Sequence, residues 1–285
     1  MKQFILLYTL MVTASLSAIS QSQSHGQVTT ASSPDGIRIA YEAHGKGAPA
    51  LLFVHGWSCD RTYWKGQLES FSKHYKVISV DLAGHGESGL GRKAWTTEAF
   101  GGDVAAVVKK LSLKRVILIG HSMGGAVITE AARQLPDRVA GLIWVDVYKK
   151  LGSARSPEQV QAFLAPLRTN FVDSTRVFVR GMFLPNSDSA LVERVVMDMS
   201  SAPPKVAVEA LESALNYSRK IPQVLQELKL PVIAINSDNA PTDTASMQRY
   251  GVKVILMPGV GHFLMMEDPE RFNRILRTAI NELVR

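Results

Sequence analysis

Gly120-His121-Ser122-Met123-Gly124 sets a serine hydroxyl between two glycines. The apolar run 115–119 precedes it and a helical pattern over 124–134 follows it. A serine on such a strand-to-helix turn is lifted above the sheet with its hydroxyl exposed, and the crowding of the turn calls for glycine on either side. A hydroxyl is a poor nucleophile until a base takes its proton. Of the seven histidines, His262 is the candidate base, because it lies in Pro258-Gly259-Val260-Gly261-His262-Phe263 straight after an apolar run. That glycine-rich loop can carry an imidazole over a sheet edge. His25 falls in a polar leader, His44 and His74 sit near element ends, and the side chain of His121 points away from its neighbour Ser122. Cys59 is a second conceivable nucleophile, but no His or Lys pairs with it by spacing, and it reads as a small, partly buried residue near the pocket. The sequence offers no metal-ligand cluster and no glycine loop for phosphate, so no metal or cofactor is expected.

The elements that must position these groups alternate regularly. Apolar runs over 37–43, 50–54, 76–80, 115–119, 139–145, 231–235 and 252–257 read as strands. Helical spacing covers 62–72, 97–111, 124–134 and 268–284, with Thr96 or Thr97 as a cap for the second and Pro269 in the first turn of the last. Short buried strands alternating with helices predict an α/β fold with a mainly parallel sheet covered on both faces. One stretch breaks the rhythm. Residues 147–230 hold no convincing buried strand and read as helices over 157–167, 174–182, 189–199 and 204–218, a helical insertion between two strands.

These pieces together resemble the α/β-hydrolase family. The resemblance rests on His55-Gly56-Trp57, on Asp81-Leu82-Ala83-Gly84-His85-Gly86-Glu87-Ser88, on the serine turn and on Gly261-His262, in register from about Ile37 to Arg285. It implies an eight-stranded, mostly parallel sheet, a helical cap inserted after the sixth strand, and the chain order nucleophile, acid, histidine. It also implies an oxyanion hole from the backbone N–H groups of Met123 and Trp57, with His55, Asp81, Gly84, His85 and Gly86 as scaffold. The acid is where the pattern departs. Aligned on Ser237, the usual position falls on Ala240, just before Pro241. Three aspartates remain candidates: Asp238, ranked first for its closeness to the strand end; Asp146, after the preceding strand; and Asp243, whose loop would have to fold back past Pro241.

The implied domains are 1–20 as an export signal, 21–33 as a flexible lead, 34–146 with 231–285 as the core, and 147–230 as the cap. The expected function is hydrolysis of a carboxylic ester, thioester or lactone through acyl-Ser122, on a small-molecule substrate. A carbon–carbon bond hydrolase, a cofactor-free haloperoxidase and a non-catalytic receptor-like module are the alternatives. Serine rather than aspartate at the turn argues against the dehalogenase and epoxide hydrolase branches. The chain has 285 residues, 46% hydrophobic, which excludes a disordered protein, and a single cysteine, which excludes a disulfide scaffold. The formal charge of +7 comes from scattered residues, the longest basic runs being pairs such as Lys109-Lys110 and Lys149-Lys150, so no nucleic-acid partner is expected. Lys2, the apolar run 4–12 and small residues up to Ser20 read as a secretory signal, too short for a membrane span. The mature chain from its own host is accordingly expected to begin near Gln21, in the periplasm or outside the cell. Intact-mass measurement checks this, and an unprocessed N-terminus would count against it.

Overall fold

Strands buried on both faces leave no side for polar residues, which is why the apolar runs are continuous. The computed structural model describes residues 28–285. Its strands are β1 (Thr29–Ser32), β2 (Arg38–His44), β3 (Ala50–Val54), β4 (Val77–Val80), β5 (Val116–His121), β6 (Val139–Val145), β7 (Val232–Ser237) and β8 (Val252–Met257). They form one sheet in the order β1-β2-β4-β3-β5-β6-β7-β8. β2 runs antiparallel to both β1 and β4, and the pairs from β4 through β8 are all parallel. This is the expected α/β class, an eight-stranded, mostly parallel sheet with helices around it.

The helices are α1 (Lys65–Phe71), α2 (Thr97–Lys110), α3 (Met123–Arg133), α4 (Pro157–Thr169), α5 (Phe171–Arg180), α6 (Ser189–Ser200), α7 (Pro204–Tyr217), α8 (Ile221–Leu228), α9 (Thr244–Arg249), α10 (Leu264–Glu267) and α11 (Pro269–Leu283). α2, α3 and α8 pack together in one layer, and α1, α10 and α11 in another. Trp64, fully buried, joins the sheet to the second layer, with its ring 5.0 Å from Phe53 and 6.3 Å from Phe272.

Three boundaries differ from the sequence reading. Part of the expected flexible lead, Thr29–Ser32, is an edge strand paired with β2; its threonines suit an extended backbone even though the segment is polar. The helix expected over 62–72 is a 3-10 turn, Arg61–Trp64, capped by Asp60 and followed by α1. The insertion contains a fifth helix, α8, which packs on α3 as part of the core layer. The cap proper is therefore α4 to α7. The segment read as an export signal lies outside the described residues. Among those described, no helix is long and apolar enough to cross a membrane.

Polar side chains fasten the cap to the core. The Trp57 indole N–H donates to the Ala207 carbonyl in α7 (2.7 Å), the Tyr63 hydroxyl to Asp198 in α6 (2.6 Å), and the Tyr217 hydroxyl to Glu130 in α3 (2.8 Å).

Beneath the cap lie three wholly buried imidazoles. His55 accepts from the Leu82 N–H (3.1 Å), so its other nitrogen donates to the Gly56 carbonyl (2.8 Å). Burial disfavours the charged ring, pushing His55 down to about 4 and His85 and His121 each down to about 3. A folded-state value below the ordinary 6.5 adds stability that is complete above that pH and is lost as pH falls, because the unfolded chain takes up protons first. Together the three imidazoles are expected to lower the unfolding free energy by about 4 kcal/mol between pH 7.5 and 5.5, roughly 1.4 each, partly offset by Asp103, whose carboxyl burial raises to about 6 so that the folded protein takes up that proton first. Denaturant titrations followed by circular dichroism check the net fall; a rise in stability over this range would overturn it.

Candidate active site

The turn from β5 into α3 holds Ser122 at φ 51° and ψ −120°. A non-glycine residue in that region costs about 1–3 kcal/mol and persists only when its surroundings fix it. They do so here. The Ser122 N–H donates to the Val145 carbonyl (3.0 Å), and its carbonyl accepts from Gly125 (2.9 Å). Gly124 must be glycine, because a Cβ there would stand 2.6 Å from the His55 oxygen and 2.7 Å from the Val54 oxygen. The close approach of α3 to the end of β3 also brings the 55–57 loop beside the nucleophile, where a Cβ on Gly56 would lie 3.3 Å from the Ser122 Cβ. The Ser122 side chain remains half-buried.

Both expected oxyanion donors fall in this cluster. Met123 is the first residue of α3, where a backbone N–H has no partner within the helix. Trp57 follows β3 in the loop beside Ser122. Neither N–H donates to another group among the described residues. The Trp57 ring is buried edge-on to Phe171 and Phe178, at 6.1 and 5.9 Å, so the loop that carries one donor is also a floor for α5 of the cap. Cys59 is buried, its thiol donates to the Trp57 carbonyl (3.3 Å), and burial pushes its pKa well above the usual range. That thiol stays protonated and is no second nucleophile.

His262 sits between β8 and α10 in a loop that is held on every side. Glu267 accepts from the N–H groups of Gly261 (3.0 Å) and Phe263 (3.2 Å), and the His262 N–H donates to the Met182 carbonyl in the cap (2.9 Å). The His121 ring, 4.6 Å from that of His262, donates to the His262 carbonyl (2.9 Å). Gly261 is required by this closeness, since a Cβ there would stand 2.5 Å from the Met182 oxygen.

The acid is Asp146. Its Oδ2 lies 2.7 Å from His262 Nδ1. Its Oδ1 accepts from the Ser237 N–H (2.7 Å), the Ser237 hydroxyl (3.0 Å) and the Lys149 ammonium (2.6 Å). Burial raises the Asp146 carboxyl, but the hydrogen bond and charge of His262 and the nearby Lys149 outweigh it and hold the group at about 2. The first-ranked Asp238 does not meet His262; it is exposed and accepts from the Gly259 N–H (3.0 Å). Asp243 caps α9 through the Ser246 N–H (2.9 Å). Closeness along the chain misled, because β6, β7 and β8 are neighbours and Asp146, the residue just after β6, reaches across the end of β7. Ser237, small and fully buried, leaves room for that reach and bonds to it. Lys149, Ser237 and Glu267 were not among the sequence candidates for the site. Lys149 had shown only as half of a basic pair.

Residues 51–275 match the sequence profile described as the alpha/beta hydrolase family. Among curated proteins, the chain is 28% identical over 255 residues to the dihydrolipoyllysine-residue acetyltransferase component of the acetoin cleaving system of Cupriavidus necator, covering 85% of this chain and 66% of that one, just under two thirds of its length. It is 25% identical over 245 residues to (E)-2-((N-methylformamido)methylene)succinate hydrolase of Acinetobacter baylyi, covering 83% and 92% of the two chains. Among solved structures, a thermophilic esterase from Thermogutta terrifontis superposes with a TM-score of 0.78 at 27% identity, over 90% of this chain and 99% of that one.

The pairing separates Asp146 from Asp238 experimentally. Asp146→Asn is expected to lower turnover of an activated ester by about 10³–10⁴-fold, since an amide cannot hold the imidazole in its required tautomer. Asp238→Asn keeps an acceptor for Gly259 and is expected to stay within about threefold, as is usual for an exposed site. Steady-state kinetics of the two variants decide, and the reverse ranking would move the acid.

Proposed function

Because the chain belongs to the α/β-hydrolase family, we propose that it cleaves a carboxylic ester, thioester or lactone of small to medium size through an acyl-Ser122 intermediate. The observation that carries this reading is the His262–Asp146 pair held in the loops beside the Ser122 turn. In the proposed reaction His262 Nε2 takes the Ser122 proton as Oγ attacks the carbonyl carbon. Asp146 keeps Nδ1 protonated and stabilises the imidazolium that forms. The Met123 and Trp57 N–H groups receive the developing oxyanion, where a single donor is worth about 2.7–4 kcal/mol. The imidazolium then protonates the leaving alcohol or thiol, and a water activated by the same base releases the acid. The likeness to an esterase structure supports ester chemistry, and serine at the turn disfavours the aspartate-dependent branches.

The cap supports a bounded, apolar substrate. Phe171 and Phe178 meet Trp57 at the side of the oxyanion loop, and ligand sites are mostly apolar with few polar groups. Not every large apolar residue of the cap serves this. Met197 is 58% exposed, and Phe183 stacks on Phe263 at 5.0 Å as packing beside the histidine loop.

Short-chain nitrophenyl esters are expected to be turned over, and emulsified long-chain triglyceride is not. Ser122→Ala should lower that turnover by about 10⁶-fold, as for other serine hydrolases that lose their nucleophile, and abolish labelling by a fluorophosphonate. Strong preference for the emulsion, or a label on another residue, would sink the reading.

A further inference from the structure

Lys149 has no role in a three-residue catalytic set, yet its ammonium lies on the acid. Its three N–H bonds go to Asp146 Oδ1 (2.6 Å), the Ser237 carbonyl (2.8 Å) and the Ser237 hydroxyl (3.3 Å). Two neutral donors, the Ser237 N–H and hydroxyl, already hold the same carboxylate oxygen. What Lys149 adds is a positive charge, at 23% side-chain exposure against 3% for Asp146.

We propose that Lys149 is a positioning residue that sets the lower pH limit of the reaction, by fixing the Asp146 carboxylate and opposing a second positive charge on His262. This rests on the Ser122–His262–Asp146 reading above. A lone buried carboxylate beside an imidazole favours its protonated, non-basic form. With an ammonium on its other oxygen the carboxylate is already matched, and the imidazole faces a neutral pair. Without the ammonium the carboxylate's negative charge would face the imidazole unmatched. The remaining groups around His262 do not supply this effect. His121 is buried and neutral over the working range. Glu267 is negative and faces the backbone N–H groups of the loop, with the Ser187 hydroxyl on one oxygen. Asp238 is exposed on Gly259. Arg271 donates to the Pro258 carbonyl (2.7 Å) and pairs with Asp268 (3.1 Å). Lys150 and Asp243 face one another at 4.0 Å beside α9. From the cap side the neighbour is the Met182 carbonyl.

The test is the pH dependence of kcat/KM for a short-chain nitrophenyl ester in the full chain, with Ser122 occupancy followed by a fluorophosphonate. In Lys149→Met the acid limb is expected to move up by about half to one pH unit, a threefold to tenfold loss at a pH on the limb, the size of a partly screened neighbouring charge. The plateau should change by a smaller factor, and Lys149→Arg should restore the native midpoint. Lys149→Gln retains a donor without the charge and should shift like Lys149→Met; it serves if the apolar variant fails to fold. A lowered plateau with an unmoved acid limb in either variant would make Lys149 a structural stitch and overturn the proposal while leaving the hydrolase reading intact. Absent labelling and turnover in the native protein would overturn both.

Discussion

One carboxylate joins three strand ends. Asp146 leaves β6 with its backbone at φ 50°, bonds to Ser237 at the end of β7, and reaches His262 in the loop after β8. Both of its oxygens are occupied, and it is 4% exposed. A buried charge of this kind is tolerable only when every lone pair is met, so the positions of Ser237, Lys149 and His262 are fixed by one requirement. The parallel register of β6, β7 and β8 is what makes a single side chain long enough to serve all of them.

The nucleophile depends on a different constraint, the crowding of glycines where α3 meets the end of β3. That approach leaves the Met123 N–H free at a helix start and sets the 55–57 loop beside Ser122. Because the same loop carries the Trp57 ring, the proposed oxyanion donor and the support for α5 and α7 share one backbone. Cap and chemistry are thus built on common residues rather than stacked as separate layers.

Much of this was legible in the sequence for reasons that are physical. The central strands β3 to β7, buried almost throughout, must be apolar, and β2 and β8 keep enough apolar residues to be read with them; β1 could not, since a polar four-residue edge strand looks like a leader. The serine turn announced itself through glycines that sterics demand. The loop that carries His262 was readable because a turn near a strand end needs glycine to bend inward. The acid was not, because it depends on lateral neighbours in the sheet, and sequence distance says nothing about which strand lies beside which. Glu267 and Lys149 were invisible for a related reason. A glutamate that holds two backbone N–H groups and a lysine folded onto a carboxylate have the same one-letter appearance as solvated surface residues. The helix α8 escaped notice because it is only eight residues long and carries Pro222 in its first turn, although Ile221, Val224 and Leu225 share the buried face that packs on α3.

The His262 backbone N–H ends on the Met182 carbonyl, between α5 and α6. The histidine is therefore tethered to the roof above it. One backbone hydrogen bond thus makes the histidine loop and that corner of the roof a single mechanical unit, and a displacement of either would be felt by the other.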